Sequence, residues 1–370
     1  MIRELHIKNF LSLKDVILSL GKLNVLVGPN ASGKSNVVRA LRFLSAFVKG
    51  ELHLQGFETF KNIVFKLDED LSIEISVIME TNGKKTVYQL EILRDSYREV
   101  ITINEQQILY HEGIKGIYGY VNKDRVQKTS TPPPCDYFNK RLDCSALKTP
   151  PRDAIPEVKK LSKILKSISV YSFIPSAIRG IADIRSDPVL GYHGNNIARV
   201  LLHLYLEDRR RFQVIESVLK SLVPRVNEIV PHIKETKIHL WLREEGFEDP
   251  IPAELVSDGT LRLLALILAL HLDSSLVALE EPENCIHPHL LQALVDLTRK
   301  APCQVIITTH SPYLLDHVKI DEVFVVERRD LETIIIKLSN HRDIERVKKL
   351  LEEGGTLGEA WYSGIFGGTP

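Results

Sequence analysis

The chain has 370 residues, with 48 lysines and arginines balanced by 48 aspartates and glutamates, so its formal net charge is zero. Its length provides for one large or two ordinary domains, and 44% hydrophobic with 26% charged residues is a soluble globular composition that excludes a disordered chain. The longest clean apolar run, Leu263 to Leu270, falls far short of the roughly 20 residues that a bilayer span needs, and zero net charge leaves any nucleic-acid surface to local basic clusters.

The opening reads as two short strands, with Ile2, Leu5 and Ile7 among polar residues and a second alternating stretch from Leu11 to Leu20. Leu23 to Val27 is a continuous apolar run, the pattern of a strand buried on both faces. It leads into Gly28–Ser35 and then into a segment where Val37, Val38, Leu41, Leu44 and Val48 recur at helical spacing. Residues 62 to 110 are β-rich, with turn residues such as Asn82-Gly83, and predict an antiparallel meander in which Asp68-Glu69-Asp70 forms a solvated hairpin turn. From 121 to 156 the periodicity is lost and prolines gather (Pro132, Pro133, Pro134, Pro150, Pro151, Pro156), predicting a long surface loop. Helical patterns return at 157–168 and 195–222, the second closed by Pro224. From 250 the chain reads helix (260–272), strand (275–280), helix (288–299), strand (303–308) and strand (322–327), which predicts a mostly parallel α/β sheet. There is no internal repeat and no heptad run of coiled-coil length.

Gly28-Pro-Asn-Ala-Ser-Gly33-Lys34-Ser35 satisfies G-x-x-x-x-G-K-[ST] between a predicted strand and a predicted helix, which is the context the motif requires. Glycines let the backbone wrap a triphosphate with its N–H groups inward, and the helix start adds partial positive charge. Lys34 is placed to reach the β- and γ-phosphates, and the Ser35 hydroxyl to ligate Mg²⁺.

Leu276–Glu283 is an apolar strand that ends in adjacent carboxylates. Nucleotide-bound metal needs a carboxylate in its shell, which suits Glu280; hydrolysis needs a group to orient or deprotonate water, which suits Glu281. The plainer alternative is a solvated acidic helix start before Pro282, and the phosphate loop weighs against it. Ser257-Asp258-Gly259-Thr260 precedes an apolar helix and makes a second anion-binding point, with an ordinary N-cap as the alternative. His310 follows a strand directly, where it can contact a γ-phosphate.

With these pieces in order, the chain resembles the ABC-type ATPases of the SMC/RecF/OLD group, small AAA-family ATPases. The resemblance spans IKNFLSLKD, LNVLVGPNASGKSNVVRAL, YSFIPSAIRG, GYHGNNIARVLLHL, VSDGTLRLLAL, LVALEEPENCIHP, VIITTHSP and LGEAWYSGIFGG. It implies an α/β ABC-type P-loop ATPase head with a mostly parallel sheet, an antiparallel β-subdomain and a helical insert. Lobe I with Walker A and the meander is expected at 1–110, a proline-rich loop and helical insert at 111–235, and lobe II at 236–370.

By the same resemblance, Gly28, Pro29, Asn30, Ala31, Ser32, Gly33, Lys34, Ser35 and Asn36 bind ATP, and Ser35 and Glu280 hold Mg²⁺. Glu281, His310 and Lys34 are catalytic. Ser257, Asp258, Gly259 and Thr260 form a signature motif that acts in trans. Three features depart from the pattern: Glu280 stands where the family usually has Asp, the signature reads SDGT rather than SGGQ, and Gln55 is the sole candidate for the Q-loop glutamine.

Between Walker A and the signature, long-armed relatives carry heptads, whereas 36–256 here holds a meander, a proline-rich loop and helices. OLD-family proteins carry a Toprim nuclease after the ATPase, and 311–370 is too short for one. The expected function is a dimeric ATP-hydrolysing switch that controls a separately encoded nuclease- or Toprim-like effector in phage defence, with the insert as its docking surface and no nuclease of its own. The alternative is a RecF-like ATPase that clamps DNA in repair or replication, for which Lys159, Lys160, Lys163, Lys166 and Arg209-Arg210-Arg211 are candidate phosphate contacts. A homodimer or larger homo-oligomer with no membrane association is expected. The charged start MIRELHIKNF is no signal peptide, and Cys135, Cys144, Cys285 and Cys303 lack CxxC spacing, so a reducing cytoplasm is the expected location.

Overall fold

In the computed structural model, the described residues are all except 53–58, 82, 113–116, 123–124, 130–144, 149, 151–153 and 368–370, with the side chains of 81, 117–122 and 125–129 also outside the description. Gln55, Asn82, Cys135, Cys144, Pro132, Pro133, Pro134 and Pro151 therefore lie outside the described residues.

The chain begins with the hairpin β1 (Ile2–Phe10) and β2 (Leu13–Ser19), then β3 (Leu23–Val27) and α1 (Lys34–Lys49). The meander follows as β4 (Ile73–Thr81), β5 (Lys84–Ile92), β6 (Tyr97–Ile103), β7 (Gln106–Glu112), β8 (Ile117–Asn122) and β9 (Arg125–Thr129). Next come α2 (Pro156–Lys166), β10 (Ile168–Tyr171), α3 (Pro175–Ile178), β11 (Ala182–Asp183), α4 (Ile197–Glu207), α5 (Arg209–Leu222), β12 (Val226–Lys234), β13 (Lys237–Glu244) and β14 (Ile251–Pro252). The chain continues through α6 (Asp258–His271), β15 (Leu276–Glu280), α7 (Leu291–Lys300), β16 (Gln304–Thr309), α8 (Pro312–Leu315), β17 (Val323–Arg329), β18 (Glu332–Lys337), α9 (Ile344–Glu352) and α10 (Leu357–Tyr362).

Three sheets result. The central one runs β10-β15-β16-β3-β17-β18 and is parallel throughout except for the final β17–β18 hairpin. An eight-stranded antiparallel sheet runs β2-β1-β4-β5-β6-β7-β8-β9, and a small one joins β11, β13 and β12, with β14 added to β13. All five residues of β3 are buried. Because side chains alternate along a strand, Leu23, Val25 and Val27 enter one hydrophobic core and Leu26 the other. The same alternation divides β15 and β16: Val277, Leu279, Val305 and Ile307 face the first core, and Ala278 and Ile306 the second. The first core also holds α4, α6 and α7, and the second holds α1 with the inner face of the antiparallel sheet. A helix that is apolar nearly all round belongs inside, and α6 is buried from Thr260 to Leu270. Each fully buried leucine or isoleucine there contributes about 1.5–3 kcal/mol.

Several expectations shift. The helical pattern of 195–222 divides into α4 and α5, because Asp208 accepts from the Arg211 amide as an N-cap. The expected loop of 121–156 carries β9 in its first part. Asp68–Asp70 precedes β4 as a turn rather than closing a hairpin. The expected boundaries at 110/111 and 235/236 fall inside β7 and in the β12–β13 turn. Most importantly, β10, which lies in the expected helical insert, pairs in parallel with β15 and so belongs to the central sheet.

Candidate active site

Parallel strands end on one edge, and register decides what meets there. Val27 pairs with Thr309 and Glu280 with Thr308. The next residues along, Gly28, Glu281 and His310, therefore emerge side by side.

Gly28–Asn36 fits a phosphate cradle. A Cβ on Gly28 would stand 2.2 Å from the Val326 carbonyl oxygen, and one on Gly33 would stand 2.0 Å from Thr333 Oγ1. Gly33 also has φ 102, and Ala31 sits at φ 60. The loop is held from outside by two hairpins. Thr333 Oγ1 donates to the Ser32 carbonyl (2.9 Å) and so must accept from Ser12 Oγ (2.6 Å), which in turn accepts from Asn36 Nδ2 (2.7 Å). The Thr333 amide donates to the Ser12 carbonyl.

Lys34 is buried, and its Nζ donates to the carbonyls of Gly28 (2.7 Å) and Pro29 (2.8 Å). Burial lowers its basicity, against the pull of Glu281 and Glu283. Ser32 Oγ is buried without a hydrogen-bond partner, and Ser35 is exposed at the helix start. A parked ammonium, an orphaned hydroxyl, an exposed hydroxyl and the amides of a helix start form a donor set that suits a triphosphate with its cation.

On the acidic side, burial raises the Glu280 carboxyl above its usual range, against a hydrogen bond from Tyr192 and the charges of Arg39 and Arg42. Glu281 has φ 44, which costs about 1–3 kcal/mol for a non-glycine residue. Its amide donates to the Thr308 carbonyl (2.9 Å), and its own carbonyl accepts from Arg262 Nη2 (2.6 Å). Its carboxylate is held on both sides: Oε1 lies 3.2 Å from His310 Nδ1, and Oε2 accepts from Asn284 Nδ2 at 2.9 Å. Glu283 is buried, accepts from Thr309 Oγ1, and leaves Oε2 without a partner. Burial pushes its carboxyl up.

The segment Ser257–Thr260 is held by contacts of its own. Ser257 caps α6, its Oγ accepting from the Thr260 amide at 3.1 Å. Arg179 pairs with Asp258 (2.7 Å) and donates to the carbonyls of Ala253 and Val256, which fixes the turn. A Cβ on Gly259 would be 2.7 Å from the Cys285 carbonyl oxygen. Among the described residues, no hydrogen bond joins this turn to Gly28–Asn36. Beside the phosphate loop lies an open cleft of about 810 Å³ lined by Pro29, Asn30, His310, Tyr313, Trp361 and Tyr362. Tyr313 and Tyr362 are 62% and 83% exposed.

The basic clusters are partly consumed within the chain. Arg211 pairs with Asp208 and Asp273, and Arg209 stacks on Tyr205. Lys166 donates to the Lys148 carbonyl, while Lys159, Lys160 and Lys163 are exposed on α2.

Thr333, Ser12, Arg179, Arg262 and Glu283 were not singled out from the sequence. Two carried a readable signal: an arginine inside LRLLALILAL, and a third acid in EEPE. The others act across distances such as the 301 residues between Ser32 and Thr333.

A family model described as "AAA domain, putative AbiEii toxin, Type IV TA system" matches residues 23–316. The chain belongs to this family. Among curated proteins it is similar to an "OLD nuclease" of Thermus scotoductus, 20% identical over 99% of this chain and 70% of that protein. It is also similar to an "ATP/GTP phosphatase" of Helicobacter pylori, 22% identical over 85% of this chain and 87% of the relative. Among solved structures, an SMC head bound to the C-terminal winged-helix domain of ScpA aligns with TM-score 0.56 at 14% identity, covering 90% of this chain and 96% of that one. The Pyrococcus furiosus Smc head with an extended coiled coil aligns with TM-score 0.54 at 15% identity, covering 95% and 98%. This likeness shows the fold: an α/β P-loop ATPase head of the ABC type.

Proposed function

We propose that the chain is a Mg²⁺-dependent ATPase that binds ATP between two copies of itself and acts as a switch for a separately encoded effector in phage defence. The observation that carries the ATPase reading is the meeting of Lys34, Glu281 and His310 at one sheet edge. The sandwich is supported by the Ser257 turn, a helix start suited to anions that, among the described residues, no hydrogen bond ties to its own phosphate loop, and by the open aromatic cleft beside that loop. The defence role is supported by the toxin–antitoxin description of the family and by the OLD relative.

In this reading Lys34 exchanges the carbonyls of Gly28 and Pro29 for the β- and γ-phosphates. Ser35 and Glu280 hold Mg²⁺, which supplies charge neutralisation on the phosphates when bound. Glu281 takes the proton of the attacking water, aimed by Asn284 and His310. The Ser257–Thr260 turn of the second copy completes the γ-phosphate site.

Residues beyond the family match form β17, β18, α9 and α10, and Val325, Val347, Trp361 and Phe366 among them join the first core. That these residues carry no nuclease activity is part of the proposal. Among the described residues no helix is long and apolar enough to cross a membrane; a cytoplasmic location is part of the proposal.

The test is purified chain with ATP and Mg²⁺. Lys34→Ala is expected to abolish ATP binding, whereas Glu281→Gln keeps ATP bound and lowers turnover by roughly 10²-fold or more. The same preparation is expected to leave plasmid DNA intact with Mg²⁺ or Mn²⁺. Parental turnover in Glu281→Gln contradicts the base assignment, and cleavage that an acidic substitution in this chain removes contradicts the absence of nuclease.

A further inference from the structure

We propose that Arg262 is a positioning residue for Glu281, through which the start of α6 and the water-activating carboxylate of the same chain move as one unit. This rests on the assignment of Glu281 above. An arginine in the second turn of an otherwise apolar helix gains nothing from being buried, because a desolvated guanidinium is costly unless it is paired. Arg262 is nonetheless only 6% exposed. Its Nη2 donates to the Glu281 carbonyl at 2.6 Å, and its Nε is buried with no hydrogen-bond partner. The bonded carbonyl belongs to a residue held at φ 44, a conformation that persists at a glutamate only when the surroundings fix it. The amide side of Glu281 is fixed by the Thr308 carbonyl; Arg262 fixes the other side.

The same loop meets the same helix turn a second time. Cys285, itself at φ 64, places its carbonyl oxygen where a Cβ on Gly259 would come within 2.7 Å. Gly259 and Arg262 are three residues apart and so lie on one face of α6. The loop 281–285 thus meets the first two turns of the helix that Ser257 caps at both of its ends. Whatever engages Ser257–Thr260 therefore bears directly on the backbone that aims Glu281. In the two-chain arrangement this links occupancy of one ATP site to the base of the other.

The experiment compares Arg262→Met, which keeps side-chain length and removes the donor, with Arg262→Lys, which keeps one donor. ATP turnover and ATP affinity are measured for each, alone and combined with Glu281→Gln. Arg262→Met is expected to lower kcat about tenfold or more while affinity stays within about twofold, and Arg262→Lys to recover part of the loss. Added to Glu281→Gln, Arg262→Met is expected to leave the residual rate unchanged, because a residue that acts only through Glu281 has nothing left to act on. Parental kcat in Arg262→Met, a fall in affinity matching the fall in kcat, or a further loss on top of Glu281→Gln each overturns the proposal. If Arg262→Met does not fold, the same comparison with Arg262→Lys decides, at smaller amplitude. Parental turnover in Glu281→Gln removes the base assignment and the positioning role with it, whereas an inactive Glu281→Gln beside a fully active Arg262→Met removes the positioning role alone.

Discussion

Glu283 keeps a carboxylate where burial makes charge expensive, with one oxygen bonded to Thr309 and the other to nothing. Burial raises its folded pKa above the ordinary 4.5, while Thr309 and His310 pull the other way and Glu281 adds to the rise. The folded protein therefore holds this proton more tightly than the unfolded chain, and stability falls as pH rises through the window above 4.5. Glu283→Gln removes the charge and the penalty. It is expected to be more stable than the parent at pH 8, with the gain shrinking as pH falls towards the ordinary glutamate value. Urea unfolding across that range checks it; a pH-independent difference contradicts it. At this scale the sequence was most readable where chemistry sets the residue type, as at Lys34, Glu281 and His310. It was least readable where a polar residue serves another across the chain, as Arg179 serves Asp258.

At the scale of elements, the phosphate loop depends on hairpins at opposite ends of the sequence. β1–β2 supplies Ser12 and β17–β18 supplies Thr333, and their hydroxyls meet against the Ser32 carbonyl. Thr333→Val keeps the shape and removes the donor, leaving that carbonyl and the Ser12 hydroxyl short of a partner. It is expected to weaken ATP binding about tenfold, the equivalent of one to two net hydrogen bonds, with kcat at saturating ATP retained. A titration with a fluorescent ATP analogue measures this, and unchanged affinity contradicts it. The strand–loop–helix unit of 23–48 was legible because a doubly buried strand and an amphipathic helix leave strong periodic signals. The break between α4 and α5 was weaker, since one capping aspartate marks it, and β10 was not read at all. Four residues with only Ile168 and Tyr171 buried leave too short a pattern, and their strand exists because β15 is there to pair with.

For the whole molecule, the alternation of strands and helices after residue 250 foretold a parallel sheet, and the register of β3, β15 and β16 explains why motifs far apart in sequence meet on one edge. What sequence pattern does not carry is the relation between two copies. Among the described residues no hydrogen bond joins the Ser257 turn to the phosphate loop, and that makes the relation the central claim. Mixing two inactive chains tests it most directly. Lys34→Ala removes a chain's phosphate grip but leaves its Ser257 turn, and Ser257→Arg blocks the turn but leaves the grip. If ATP is held between two chains, each variant alone is inactive, while the mixture regains turnover from hybrid dimers that contain one whole composite site. Full activity of Ser257→Arg alone, or a mixture of exchanging subunits that stays as inactive as its parts, would contradict the account.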